Sequence, residues 1–227
     1  MPDSPQTAQP ITAIRPHKRN TERVEIDIGD ETILVSLEYA VRKELRVGTP
    51  ITPSSRTALE NEAAVVRAMD RALLLLAHRA RSEKELHRRL TRLHMPAPAI
   101  TEALVRLTRL GYIDDAAFAR QFARARLLAG GQSRYRIRSE LLRRGIDREL
   151  AESAIEDTLA DESVDEAAIL ERVAEKKARS LAKVDPLTRR RRLYGFLARR
   201  GFESDEIRGA VERIERAERE GETGKGQ

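Results

Sequence analysis

Three stretches decide the fold: SEKELHRRLTRLHMPAPAITEAL at 82–104, SRYRIRSELLRRGIDRELAESAI at 133–155, and TRRRRLYGFLARRGFESDEIRGAV at 188–211. Each opens with a basic helical pattern and passes through a short turn ending in an apolar residue: Met95, Ile146 or Phe202. A second helical pattern follows, whose first-turn apolar positions are Ile100, Ala151 and Ile207. Ala103, Ala154 and Ala210 then recur, each followed by an aliphatic residue, Leu104, Ile155 or Val211. A further helical segment precedes each pair, at 61–77, 115–128 and 166–181. Self-similarity at a period of this kind is the signature of a repeat architecture, in which one unit alone buries too little surface.

Local chemistry marks the boundaries. Ser82 with Glu85 makes a capping box, and Pro98 suits a first helical turn, where its missing N–H has no partner to lose. Asp114 or Asp115 can cap the helix that carries Phe118 and Phe122, which lie four apart on one apolar face. Gly145 and Gly201 follow Arg-Arg pairs and fit the left-handed position that ends a helix. Phe118, Phe122, Phe196 and Phe202 are expected in the core, and Tyr112 where two repeats meet. Upstream, Val24, Ile26 and Ile28 alternate with acids, Gly29-Asp30 supplies a turn, and residues 32–35 form a second strand. A short helix at 38–45 and a hinge-like linker containing Gly48, Pro50 and Pro53 follow.

The fold expected is therefore mainly α: three tandem three-helix repeats forming an elongated, bent array, behind a small β-rich segment. The divisions are a flexible tail at 1–20, a hairpin with helix and linker at 21–58, repeats at 59–113, 114–162 and 163–220, and a flexible tail at 221–227. Composition agrees. Charged residues make up 35% and aromatics 4%, with no Trp, which suits thin helical layers with wide solvated faces better than one large spherical core.

Charge is segregated. Residues 1–60 hold 8 Lys/Arg against 9 Asp/Glu, so the net +6 of the chain belongs to the helical part. The segments 78–94, 132–145 and 183–201 carry six, five and seven basic residues against two, one and one acids. The helices at 147–162 and 203–220 carry seven acids each. A basic side repeated along the array attracts polyanions, nucleic acid or an acidic protein. The contact residues expected are Arg120, Arg124, Arg126, Arg134, Arg138, Arg143 and Arg144 in the second repeat, with Arg189, Arg190, Arg191 and Arg192 in the third. The guanidinium fork matches phosphate and carboxylate geometry.

Chemistry of other kinds is missing from the sequence. With no Cys there is no thiol nucleophile, disulfide framework or Cys-ligated zinc, which fits a reducing, cytoplasmic setting. Gly130-Gly131 leads into Gln-Ser-Arg, unlike a phosphate-binding loop, and neither a nucleophile elbow nor an HExxH helix occurs. His87 and His94 lack a third ligand of clear spacing. The apolar run 72–77 is too short to cross a bilayer, and the N-terminus lacks a signal core. The expectation is a monomeric binding protein, with no enzyme activity, cofactor or metal and no membrane attachment.

The string Leu110-Gly111-Tyr112-Ile113-Asp114-Asp115, followed by Phe118-Ala119, Arg126, Ile137-Arg138, Glu140-Leu141 and Arg144-Gly145-Ile146, resembles the RecX family of recombination regulators. Arg190, Arg192, Phe196-Leu197, Arg200-Gly201-Phe202 and Ile207 are similar to that family's third repeat, although the run 189–192 is all Arg where the family mixes in Lys. The resemblance covers roughly residues 70–215. It implies a bent, all-helical protein that binds the RecA recombinase filament on single-stranded DNA, lodges in its groove and bridges protomers. It implies reduced ATP hydrolysis, strand exchange and SOS repressor cleavage, and direct DNA binding in some members. Two other readings of the residues remain open: a DNA-binding regulator built on helix-turn-helix-like units, against which the acidic third helices argue, and a helical scaffold for protein partners alone.

Overall fold

A computed structural model of the chain describes residues 9–18, 20–163 and 165–223. Its contacts divide into two compact units, Met1–Asp114 and Asp115–Gln227.

The first unit opens with four short strands: β1 (Gln9–Pro16), β2 (Arg23–Ile28), β3 (Glu31–Ser36) and β4 (Pro50–Ile51). They form an antiparallel sheet in the order β3-β2-β1-β4, with a register shift between Ile11 and Ala13. The alternation of Val24, Ile26 and Ile28 puts all three on the buried face, where they meet Ile11, Val35, Tyr39 and Leu59. Helix α1 (Leu37–Arg42) follows β3, capped by Ser36.

Two sequence expectations fail here for one reason. Residues 1–20 lack periodicity and read as a tail, and Gly48, Pro50 and Pro53 read as a hinge-like linker, yet 9–16 and 50–51 are strands. Each lends one buried apolar side chain to the sheet core, Ile11 at 1% exposed and Ile51 at 6%, with Ile14 packed at its margin. β1 pairs with β2 on one side and with β4 on the other, so backbone hydrogen bonding, which a side-chain pattern does not report, orders these segments. Residues 1–8 of the expected tail, and 224–227 of the C-terminal one, lie outside the described residues.

Helix α2 (Pro53–His78) begins directly after β4, with Thr52 as its cap and Pro53 in its first turn. At about 1.5 Å per residue its 26 residues span roughly 39 Å. Its first half closes the sheet core through Leu59 and Ala63. Its second half packs through Ala68 and Ala72 against α3 (Glu83–Arg92) and α4 (Ala97–Arg109). One continuous helix therefore joins the β-rich segment to the first three-helix unit. Buried polar bonds reinforce the joint. Glu62, 4% exposed, accepts from Arg106 Nη1 and Nη2 at 2.7 and 2.8 Å and from Ser36 Oγ at 2.6 Å. Burial by itself would push the Glu62 carboxyl up, but these hydrogen bonds outweigh it and hold the group below the usual carboxylate range. Arg23 pairs with Asp70 at 2.5 Å.

The second unit contains α5 (Asp115–Arg124), a π-helical turn (Ala125–Ala129), α6 (Arg134–Arg144) and α7 (Arg148–Asp161), followed by α8 (Glu166–Ser180), α9 (Pro186–Arg199) and α10 (Ser204–Thr223). Together with α2 to α4, these make three three-helix domains. Ser82, Ser133, Asp147, Asp165 and Asp185 cap their helices by accepting a backbone N–H three residues on. Ala119 and Ala123 on α5 and Ala151 and Ala154 on α7 are all at most 2% exposed, and such small residues let paired helices approach closely without aromatic filling.

Phe118, Leu127, Ile137, Leu141 and Ile155 of the second repeat share a single core with Ile169, Leu193, Leu197, Phe202 and Ile207 of the third. The two repeats are thus one packed body. Tyr112 was expected at a repeat junction but is 57% exposed. Phe122 and Phe196 are only half-buried, at the margin of this core.

Candidate binding surface of the basic helices

The second and third repeats join through their basic helices. The Ser133 backbone N–H donates to Arg200 O at 3.0 Å, and Ser133 Oγ donates to Gly201 O at 2.6 Å. The carbonyls of the turn that ends α9, at Arg200 and Gly201, are therefore satisfied by the cap residue of α6. Gly201 has φ +88°, and a Cβ there would lie 2.6 Å from Arg136 Cβ and 2.7 Å from Ser133 Oγ. The helix-ending glycine expected from sequence thus has a second duty: it lets α9 abut α6, so that one basic helix follows the other across the repeat boundary.

The eleven arginines expected to make contacts separate into two groups. Eight are engaged within the chain. Arg124 pairs with Glu162 at 2.7 Å, Arg134 with Glu166 at 2.9 Å and Arg138 with Glu152 at 3.2 Å. Arg189 bonds Glu218, and Arg190 lies 3.8 Å from Glu215. Arg126 and Arg144 place their guanidinium groups 5.0 and 4.8 Å from the Phe122 ring centre, and Arg143 donates to Ser139 O at 3.3 Å. Phe122, expected as plain core, is a platform for two cations. Arg120, Arg191 and Arg192 are exposed and make no hydrogen bond or ion pair among the described residues. Arg192 faces Asp185, whose carboxyl is held below its usual range by hydrogen bonds from Thr188, with a smaller contribution from Arg192. Most of the acidic partners come from α7, α8 and α10, so the charge segregation seen in sequence is largely an internal pairing of acidic and basic helices. Exposed ion pairs of this type are worth about 0–1 kcal/mol each, so an incoming anion exchanges them at little cost.

Sequence reasoning passed over a third set of cations. Arg172, Lys176 and Lys177 of α8, with Arg200 at the end of α9, line a recess of about 380 Å³ beside the π-helical turn. Helix α8 carries acids as well, so its composition hides the asymmetry. Glu171 pairs with Arg213, and Glu175 lines a different groove with Arg179. The signal available was the i, i+4 spacing of Arg172 and Lys176 on one face. No group of metal-ligating side chains occurs among the described residues, and no helix among them is long and apolar enough to cross a membrane.

The comparisons with known proteins fall on these same helices. Family models described as the first, second and third three-helix domains of RecX match residues 68–107, 114–155 and 165–211. The regulatory protein RecX of Chlorobium phaeobacteroides (strain BS1) is 38% identical over 151 residues, which cover 66% of this chain and 95% of that protein. The regulatory protein RecX of Clostridium botulinum (strain Eklund 17B / Type B) is 25% identical over 204 residues, 88% of this chain and 94% of that one, a span that reaches N-terminal of the first three-helix domain. A crystal structure of a regulatory protein RecX superposes with a TM-score of 0.69 at 23% identity, covering 88% of this chain and 97% of that chain. RecX from Lactobacillus salivarius gives 0.54 at 22% identity, over 67% and 97%. Those two structures share the fold. Three domain models in tandem order, together with a relative matched over nearly its whole length, show that this chain belongs to the RecX family of regulatory proteins.

Proposed function

We propose that this protein is a negative regulator of the RecA recombinase. It binds the RecA filament on single-stranded DNA along the filament groove, bridges neighbouring protomers, and lowers ATP hydrolysis, strand exchange and SOS repressor cleavage. Family membership supports the target. The observation that carries the mode of contact is the junction of α9 and α6 at Gly201 and Ser133, which sets two basic helices in one rigid body. Such a body presents cations with fixed spacing, as a periodic partner requires. Regulation then follows from differential affinity: a ligand shifts a filament equilibrium only as far as it prefers one filament state over the other.

Arg190, Arg191 and Arg192 are the proposed contacts of the third repeat, and Arg120 with the exchangeable Arg124, Arg134 and Arg138 those of the second. The test is DNA-dependent ATP hydrolysis by RecA with this protein titrated in below stoichiometric amounts. A marked fall is expected, and a severalfold weaker one for the Arg190→Glu/Arg192→Glu variant at unchanged helix content. Wild-type inhibition by that variant would remove the third-repeat arginines from the contact. No effect of the wild-type chain even in excess at low salt would refute filament regulation.

A further inference from the structure

We propose that the recess between α8, the end of α9 and the π-helical turn is a phosphate-binding pocket for the backbone of single-stranded nucleic acid. Its cationic side chains are Arg172, Lys176, Lys177 and Arg200.

Four features of the site carry this assignment. Charge comes first. Many arginines of the second unit find carboxylates, yet none of these four cations, gathered around one recess, has a carboxylate partner among the described residues, and no acid lines the recess. Arg172 donates only to Leu128 O, at 2.9 Å, and Arg200 only to Gly131 O, at 3.3 Å. Positive charges left uncompensated around one concavity concentrate an anion there.

Order is the second feature. The Arg200 guanidinium sits 4.5 Å from the Phe196 ring centre and Lys177 Nζ 5.3 Å from it, so an aromatic face holds two of the cations in place before any ligand arrives. The hydrogen bonds of Arg172 and Arg200 both end on main-chain oxygens of the segment that leads, within the second repeat, from the π-helical turn into α6.

The third feature is an unmet donor. Arg200 Nε is buried without a hydrogen-bond partner. Burial also pushes the Arg200 guanidinium below its usual range, because no counter-charge repays the lost hydration. An anionic oxygen in the recess offsets that cost.

The backbone supplies the fourth. A π-helical turn is rare and recurs at functional sites. Here it delivers Gly130 and Gly131 to the rim, where a Cβ on Gly131 would come within 2.3 Å of Val173 Cγ2. The local backbone is thus committed to a shape that bulkier residues do not permit.

The volume lies within the range of small-ligand pockets. A recess suits a single strand, whose phosphates and bases turn freely into it, better than a duplex, whose phosphates are fixed on a rigid cylinder. This site is separate from the arginines 189–192 and does not depend on RecA.

The test uses the full chain and a short dye-labelled oligothymidylate, with fluorescence anisotropy read across a salt series and no RecA present. Lys176→Gln/Lys177→Gln removes both charges while keeping an unbranched side chain of similar helix propensity, so circular dichroism is expected to be unchanged. The expected result is a roughly tenfold loss of affinity at low salt and a salt slope shallower by about 1.4, since each of the two lost single-strand phosphate contacts contributes roughly 0.7 to that slope. Lys43→Gln, an exposed position in the first unit, is expected to bind as wild type. Unchanged affinity and slope in the double variant, or an equal loss in Lys43→Gln, would overturn the assignment. So would displacement of the oligonucleotide by inorganic phosphate at equal phosphate concentration, which means a free-anion site, or by polyglutamate at equal charge, which means an acidic protein chain. Failure here leaves filament inhibition, measured separately by ATP hydrolysis, untouched.

Discussion

The joint between the second and third repeats makes a quantitative test available at Gly201. Replacing it with Ala imposes two separable costs. The residue has φ +88°, and left-handed backbone costs an L-residue about 1–2 kcal/mol. The new methyl also lands 2.6 Å from Arg136 Cβ and 2.7 Å from Ser133 Oγ, closer than real contacts allow. Neither atom is the free end of a flexible side chain. The α9–α6 junction must therefore open, and overpacking of this kind costs about 1–3 kcal/mol. The sum is roughly 2–5 kcal/mol, a large part of the stability of a unit this size. Gly111 isolates the first cost, because its φ is +75° and a Cβ there meets nothing within 4 Å. Gly111→Ala is expected to cost only about 1–2 kcal/mol. With two units in the chain, a single unfolding midpoint is not a defined quantity, so native-state amide exchange is the appropriate assay. It is to be read at Ile137 and Leu141 for one variant and at Leu104 and Leu107 for the other. Equal losses at the two glycines would show that the close approach of the Gly201 turn to the start of α6 carries no energy, and the argument for a rigid pair of basic helices would fail with it.

The Glu62–Arg106 pair yields two more expectations. Glu62→Gln removes the buried counter-charge of Arg106, which is only 11% exposed and keeps the half-exposed Glu102 as a partner at 2.7 Å, so a loss of about 3 kcal/mol, the low end for a broken buried pair, is expected in the first unit by denaturant-monitored circular dichroism. The double variant Glu62→Leu/Arg106→Met is expected to recover most of it, and a double variant as unstable as the single would refute the desolvation argument. The pH dependence has a definite sign. Because the folded Glu62 carboxyl titrates below its unfolded value, its contribution is complete above the ordinary carboxylate range and fades as pH falls through the lower folded value. The protection of amides in β2 and β3, taken relative to the intrinsic exchange rate at each pH, is therefore expected to fall in acid by a smaller factor in Glu62→Gln than in wild type. An equal fall in both would assign the acid sensitivity elsewhere.

Much of this fold was legible because its information is local. Helix caps, helix-ending glycines and the 3.6-residue apolar rhythm involve residues within one turn of each other, and Ser82, Gly145 and Gly201 stand where those rules placed them. Segments that depend on distant partners were not legible. Ile11 and Ile51 each contribute one buried side chain, and only the pairing of β1 with β2 and β4 makes strands of their neighbours. The π-helical turn at Ala125–Ala129 is similar: the sequence there is good α-helix, and only the structure shows the departure.

The surface divides along the same line. Sequence alone determined that positive charge concentrates on particular helices, since composition by segment needs no coordinates. It could not determine which cations are free. Arg189 and Arg134 look as available as Arg191 in a linear reading, but Glu218 and Glu166, 29 and 32 positions away, are brought to their sides by the packing of α10 and α8. Conversely, Arg172 and Lys176 look neutralised by adjacent glutamates that the helix turns to another face, where Glu171 meets Arg213. An ion pair is a matter of a few ångströms in space, and separation along the chain carries almost no information about it once helices pack. The sequence determined the kinds of helix and their order; the tertiary structure decided which charges remained uncompensated.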